Sequence, residues 1–267
     1  TMSMFLHELK AYRKSTIIWS ASLVLLALFM FSMFPSISKD AESFKKLLDV
    51  YPPAFRKALG LSVDSVTSLL GFYSSFVLLY EVLCGSIQAM NLGTAIISKE
   101  VREKTADFLL TKPIKRHEIV TSKLLAAISS LVITNIIYIA GASIIAEIVK
   151  NKSFDYKVFL LLSITLFLVQ IMFMSLGIVI SMILPRIRSV LPISIGTVLG
   201  FFFIEMFSSI IGDKAVRYIT PFKYYDYSYI IKHSAYEYKY ILIELVFIIV
   251  FILMSYVIYS KKDIHAV

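Results

Sequence analysis

Glu81 is the least expected side chain in this sequence, a carboxylate inside a long apolar run. Ionisable residues in such surroundings are costly, and they mark ion or substrate paths, proton relays or buried pairs. Glu81 belongs to a stripe of Ser74, Glu81, Cys84, Gln88, Asn91, Ala95 and Ser98, whose steps of three, four and seven stay on one helix face. Such a face does not point at lipid. Two readings are open: Ser74, Glu81, Gln88 and Asn91 line a translocation path, or the stripe packs against another helix that satisfies its hydrogen bonds. Glu205 and Glu244 lie near the ends of later apolar runs, where snorkelling to the surface is cheap. Gln170 reads as a buried hydrogen-bonding residue.

Other chemistry is missing. No Gly-Lys pair occurs, so a GxxxxGK[ST] phosphate loop is absent and ATP hydrolysis by that route is excluded. There is no HExxH and no GxSxG nucleophile elbow. The four histidines, His7, His117, His233 and His265, are scattered outside the apolar runs. With Cys84 alone, neither an intramolecular disulfide nor a cysteine-based zinc site is possible. No metal or cofactor site is therefore expected in the chain.

The elements that must position the stripe follow from composition. Of 267 residues, 58% are hydrophobic, above the ~45–50% of a soluble domain. The excess falls in blocks, the mark of an all-α, polytopic membrane protein forming a single domain. Six blocks predict spans over 16–34, 66–97, 124–149, 158–184, 190–211 and 240–259. The first reads as a retained span, being too long for a leader's apolar region. The second exceeds a perpendicular crossing and should tilt, bend near Gly85, or extend beyond the bilayer. Before the first span, Phe5, Leu9 and Tyr12 recur at helical spacing among charges, which predicts a membrane-surface helix over 3–15. The formal charge of +9 sits at span edges, which accounts for it without nucleic acid.

An even number of spans places both termini on one side. The loops on that side hold 14 Lys and Arg in 54 residues, against 13 in 67 on the other side. The denser side is expected to be cytoplasmic. Outside, residues 39–60 hold two amphipathic pieces around Pro52-Pro53. The last outer loop is rich in tyrosine, with Tyr224, Tyr225 and Tyr227 among them. It reads as an interfacial aromatic belt or as an outer gate.

The longest charged stretch is Lys99–Lys123, KEVREKTADFLLTKPIKRHEIVTSK, between spans two and three. Pro113 ends the helix before it, and a second helix starts after it. By composition alone this is either an ordinary positive-inside loop or a helix–Pro–helix elbow fit to transmit motion. Its order of residues is more specific. Glu100, Glu103, Thr105, Leu109-Leu110, Thr111, Pro113-Ile114-Lys115-Arg116, Glu118-Ile119 and Lys123 resemble the signature of type-2 ABC exporter permeases. Lys104 stands where that signature has Gly, and Ser122 where Gly is common. Thr220-Pro221-Phe222-Lys223-Tyr224-Tyr225-Asp226 resembles the Pro-Phe-Lys-Tyr segment that bacterial members carry before the last span.

The resemblance implies a permease subunit in a bacterial plasma membrane. Glu100, Glu103, Thr105, Phe108, Leu109, Pro113, Lys115 and Arg116 would form a coupling helix seated in a separate ATPase subunit. Two ATPases and a second permease would complete the exporter, with ATP and magnesium held by the ATPases. Tyr224, Tyr225 and Tyr227 would stand at an outer gate. The cargo would be amphipathic or hydrophobic, such as a peptide. The alternative from the residues alone is an integral-membrane enzyme or a stand-alone channel built on Glu81.

Overall fold

The structure, a computed structural model, describes residues 2–59, 61–103, 105 and 114–261. These residues form helices and no strand. Six helical stretches are long and apolar enough to cross a membrane, so this is an all-α, multi-pass membrane protein. Their principal helices are α1 (Met2–Ser32), α2 (Leu78–Arg102), α3 (Arg116–Val149), α4 (Tyr156–Ile183), α5 (Leu191–Ile211) and α6 (Tyr238–Lys261).

Residues 3–15 and the first apolar run form one unbroken helix, α1. Short helices at Phe34–Lys39, Ala41–Val50 and Pro53–Ala58 follow, the last opening on Pro53, whose fixed φ suits a first turn. The chain then enters the second stretch through Leu69–Phe72, capped by Ser68, whose hydroxyl accepts from the Gly71 N–H at 3.0 Å. Asp155 caps α4 in the same way, accepting from the N–H groups of Lys157 and Val158. At the far end of α5, Gly212 adopts φ 81°, the left-handed conformation that closes a helix and favours glycine.

The bend in the second stretch is not at Gly85. It is a π-helical turn at Tyr73–Val77, between Leu69–Phe72 and α2. Tyr73, fully buried, anchors it. Its ring stacks on Phe31 of α1 at 5.4 Å and on Phe159 of α4 at 4.6 Å. Its hydroxyl bonds to those of Tyr138 of α3 at 2.9 Å and Ser163 of α4 at 2.7 Å. Holding one side chain against three other helices fixes this turn's register, and a π turn absorbs the extra residue.

The bundle is built from two strongly packed pairs, α2 with α4 and α1 with α3. In the first pair the backbones touch. A Cβ on Gly93 would stand 2.3 Å from the Met174 carbonyl oxygen, and one on Gly177 would stand 2.7 Å from that of Met90. Glycines are needed at both places for this approach. α5 and α6 lie on the periphery, with large apolar side chains such as Phe207 and Leu253 exposed as a membrane environment allows.

Candidate functional site

The end of the bundle where α2 stops and α3 starts carries a buried charge cluster. Lys123, one turn into the buried part of α3, is 0% exposed. Its ammonium donates to the Ile96 carbonyl at 2.5 Å and to Glu100 Oε1 at 2.6 Å, both on α2. It also reaches Glu8 Oε1 of α1 at 3.5 Å, while Glu8 Oε2 lies 3.6 Å from Lys99 Nζ. Two carboxylates and two ammoniums thus tie three helices together with no net charge. An ammonium has three donors, and Lys123 has an acceptor for each.

Around this cluster stand the expected coupling residues. Glu103 follows the last turn of α2, its N–H donating to the Lys99 carbonyl at 2.8 Å. The Thr105 N–H donates to the Glu100 carbonyl at 2.8 Å, so the chain turns tightly there. Lys115 is extended and leads into α3. The Arg116 guanidinium donates to the carbonyls of Tyr259 and Ser260, at 3.4 and 3.1 Å, which fastens the start of α3 to the end of α6. Phe108, Leu109 and Pro113 lie outside the described residues. Both anchors of the Lys99–Lys123 stretch are therefore held, one by Glu100 and the other by Lys123 and Arg116.

Glu8 was not legible as a member. On the helical wheel it counts among the charges, yet it stands three residues after Phe5 and four before Tyr12, within the apolar stripe. That placement is the signal for a buried partner: α1 turns this stripe inward, and Glu8 is 2% exposed.

Further along α2, the polar stripe meets other helices. Gln88 donates to Thr134 Oγ1 at 2.9 Å and accepts from Gln170 Nε2 at 3.1 Å. Asn135 donates to Gln170 Oε1 at 2.6 Å, and Ser20 donates to Thr134 at 3.1 Å. This polar layer joins α1, α2, α3 and α4, which is the packing alternative for Gln88 and Gln170, and it leaves the Asn135 Oδ1 without a hydrogen bond. Asn91 is half-buried. Glu81 stands apart, 0% exposed, with neither carboxylate oxygen hydrogen-bonded. Its electrostatic neighbours include Tyr73, Tyr138 and Cys84. Ser74, in the π turn, bonds to the Gly71 carbonyl and faces a cavity at the opposite end from Lys123.

The tyrosine-rich segment covers that end. Tyr225 donates to Glu244 of α6, Tyr224 to the Tyr218 carbonyl at 3.0 Å, and Tyr236 to the Leu161 carbonyl of α4 at 2.6 Å. Burial pushes the phenols of Tyr224, Tyr225 and Tyr227 upward. These side chains dock the segment onto the bundle. Among the described residues no group of three His, Cys, Asp or Glu side chains is placed to hold a metal ion.

Residues 2–264 match the model of a protein family described as ABC-2 family transporter protein. The chain belongs to the ABC-2 transporter family. No individual curated protein matches it. As an ABC-2 protein it is a membrane-embedded transport permease, of a kind that pairs with an ABC ATPase. Membership also gives the order Glu100, Thr105, Lys115-Arg116 and Lys123 a context that composition alone lacks.

Proposed function

We propose that this chain is the permease subunit of an ATP-driven exporter that carries an amphipathic or hydrophobic molecule, such as a peptide, out of a bacterial cell. The observation that carries the reading is the Lys123 cluster. It ties the two anchors of the Lys99–Lys123 stretch to α1, α2 and α3, so a displacement of either anchor moves those helices. ATP and magnesium belong to a separate ATPase, two copies of which act on two permeases. Both termini and Lys99–Lys123 face the cytoplasm, where basic residues are denser. Glu100, Glu103, Thr105, Lys115 and Arg116, with Phe108, Leu109 and Pro113, form the contact with the ATPase. Tyr224, Tyr225 and Tyr227 belong to the outer gate.

The test is to purify the chain from its native membrane, identify what co-purifies, and measure ATP hydrolysis with amphipathic peptides added. An ABC ATPase in the complex, stimulated by a cargo, is the expected result. A chain that purifies alone and moves solutes without regard to ATP would refute the reading.

A further inference from the structure

The cavity at the Ser74 end has a volume of 380 Å³, within the ~300–1,000 Å³ of small-ligand sites. Segments distant in sequence build it. The Pro53–Ala58 helix brings Lys57, α5 brings Glu205 and Ser209, and the segment after α5 brings Arg217, Lys223 and Asp226.

Its charges divide by whether they already have a task. The Arg217 guanidinium is paired with Glu237 and lies over the Tyr240 ring at 3.7 Å, while its Nε donates to the Lys223 carbonyl. Asp226 caps the Tyr227–His233 helix, accepting from the N–H groups of Ser228 and Tyr229. Lys57, Lys223 and Glu205 remain. The Lys57 ammonium makes no hydrogen bond or ion pair among the described residues. The Lys223 ammonium makes one bond, a long one of 3.4 Å to Ser208 Oγ. Glu205 accepts one of the same length from Ser209. Glu205 and Lys223 feel each other's charge without forming an ion pair. Burial holds Lys223 below its ordinary value; Glu205 works against this, and the charges of Arg217 and Lys57 add to it. Two ammoniums therefore repel each other around a space that also presents one carboxylate, all three with unused hydrogen-bonding capacity. Leu79, Val82, Phe202 and Phe222 give the cavity an apolar wall.

We propose that this cavity binds a zwitterionic head group joining a phosphate to an ammonium, as in phosphoethanolamine. Lys57 and Lys223 take the phosphate, and Glu205 takes the ammonium. Such a ligand meets each uncommitted charge with its opposite and gains charge-assisted hydrogen bonds, the strong kind. The site does not depend on the direction of transport, and its test needs no ATPase, so a failure here leaves the export reading standing.

The chain in detergent is titrated with soluble phosphoethanolamine and, separately, with phosphatidylethanolamine and phosphatidylglycerol. Melting temperature and lipid retention in native mass spectra are recorded. Phosphatidylethanolamine should stabilise the chain and be retained over phosphatidylglycerol. Lys57→Gln and Lys223→Gln should each weaken apparent affinity about tenfold, the order of one lost charge-assisted bond. Glu205→Gln should abolish the preference over phosphatidylglycerol. If soluble phosphoethanolamine reproduces the shift, the head group suffices; if only the lipid acts, the apolar wall also holds its chains. Both support the site. No response from the unmodified chain, equal retention of phosphatidylglycerol, or an unchanged response of Lys57→Gln would overturn it. Lys57 is exposed on a surface helix, so its variant stays folded and the test stays decisive.

Discussion

Replacing Lys123 by methionine is the sharpest probe of the charge cluster. Methionine keeps most of the length and apolar volume, so the change is close to removal of one charge. Glu8 and Glu100 then share a largely buried site, with Lys99, 3.6 Å from Glu8, as the remaining ion-pair partner among the described residues. Removing one partner of a buried ion pair costs about 3–5 kcal/mol, because the other charge stays buried without compensation. At ~1.4 kcal/mol per factor of ten, that is roughly two to four powers of ten in the folding equilibrium. A half-exposed pair such as Arg217–Glu237 should lose far less, at most about 1 kcal/mol. The assay is thermal unfolding of the purified chain in detergent, with Lys123→Met and Glu100→Gln beside the double variant Glu100→Gln/Lys123→Met. The double variant restores neutrality, so it should recover a large part of the loss. A Lys123→Met protein as stable as the unmodified one would refute the buried-cluster reasoning. So would a double variant whose loss is the sum of the two single losses.

Other predictions test separate parts of the bundle. Gly93→Ala and Gly177→Ala each force α2 and α4 apart and should destabilise by about 1–3 kcal/mol or more; Gly196→Ala and Gly200→Ala, with nothing within 4 Å of the new Cβ, should be neutral or slightly stabilising in the same melts. Tyr73→Phe removes hydroxyl bonds to Tyr138 and Ser163 and should cost about 0.6–1.7 kcal/mol, the range for hydrogen bonds between membrane helices; a melting point equal to the parent's would show the π turn held by stacking alone. Replacing Glu103, Phe108 and Leu109 together by alanine should abolish cargo-stimulated ATP hydrolysis in the complex while leaving the permease's melting temperature unchanged.

The helices were legible because crossing a membrane demands a long apolar run, and such runs need no tertiary information to be seen. Their ends were less legible. The helix expected after Pro113 starts at Arg116, and α3 carries it without a break into the apolar run, its charged start fastened by the Arg116 bonds to α6. A bend near Gly85 was one of three ways the long second run could be fitted, beside tilting and extending beyond the bilayer. Gly85 instead packs against Leu166 and Gln170, and the irregular turn falls where Tyr73 is pinned by aromatic rings on other helices. The polar stripe shows the same limit. Spacing placed Gln88 and Glu81 on one face, but only the partners across from them separate a hydrogen-bonded side chain from a carboxylate with no hydrogen bond. Glu8 was hidden because its inward direction depends on the packing of α1 against α3.

The glycine contact between α2 and α4 has a mechanical consequence. Helices whose backbones touch through Gly93 and Gly177 have no side-chain cushion to shear, so they travel as one leaf. α1 and α3 make the second leaf. Two polar layers join the leaves, the Ser20–Thr134–Gln88–Gln170–Asn135 layer in the middle and Lys123 with its carboxylates at one end, and the Tyr73 contacts with Phe31 and Tyr138 join them at the other. Directional bonds break at definite displacements, whereas apolar packing slides. Any opening of this bundle between its leaves must therefore exchange hydrogen bonds in those layers and part the Tyr73–Phe31 stack.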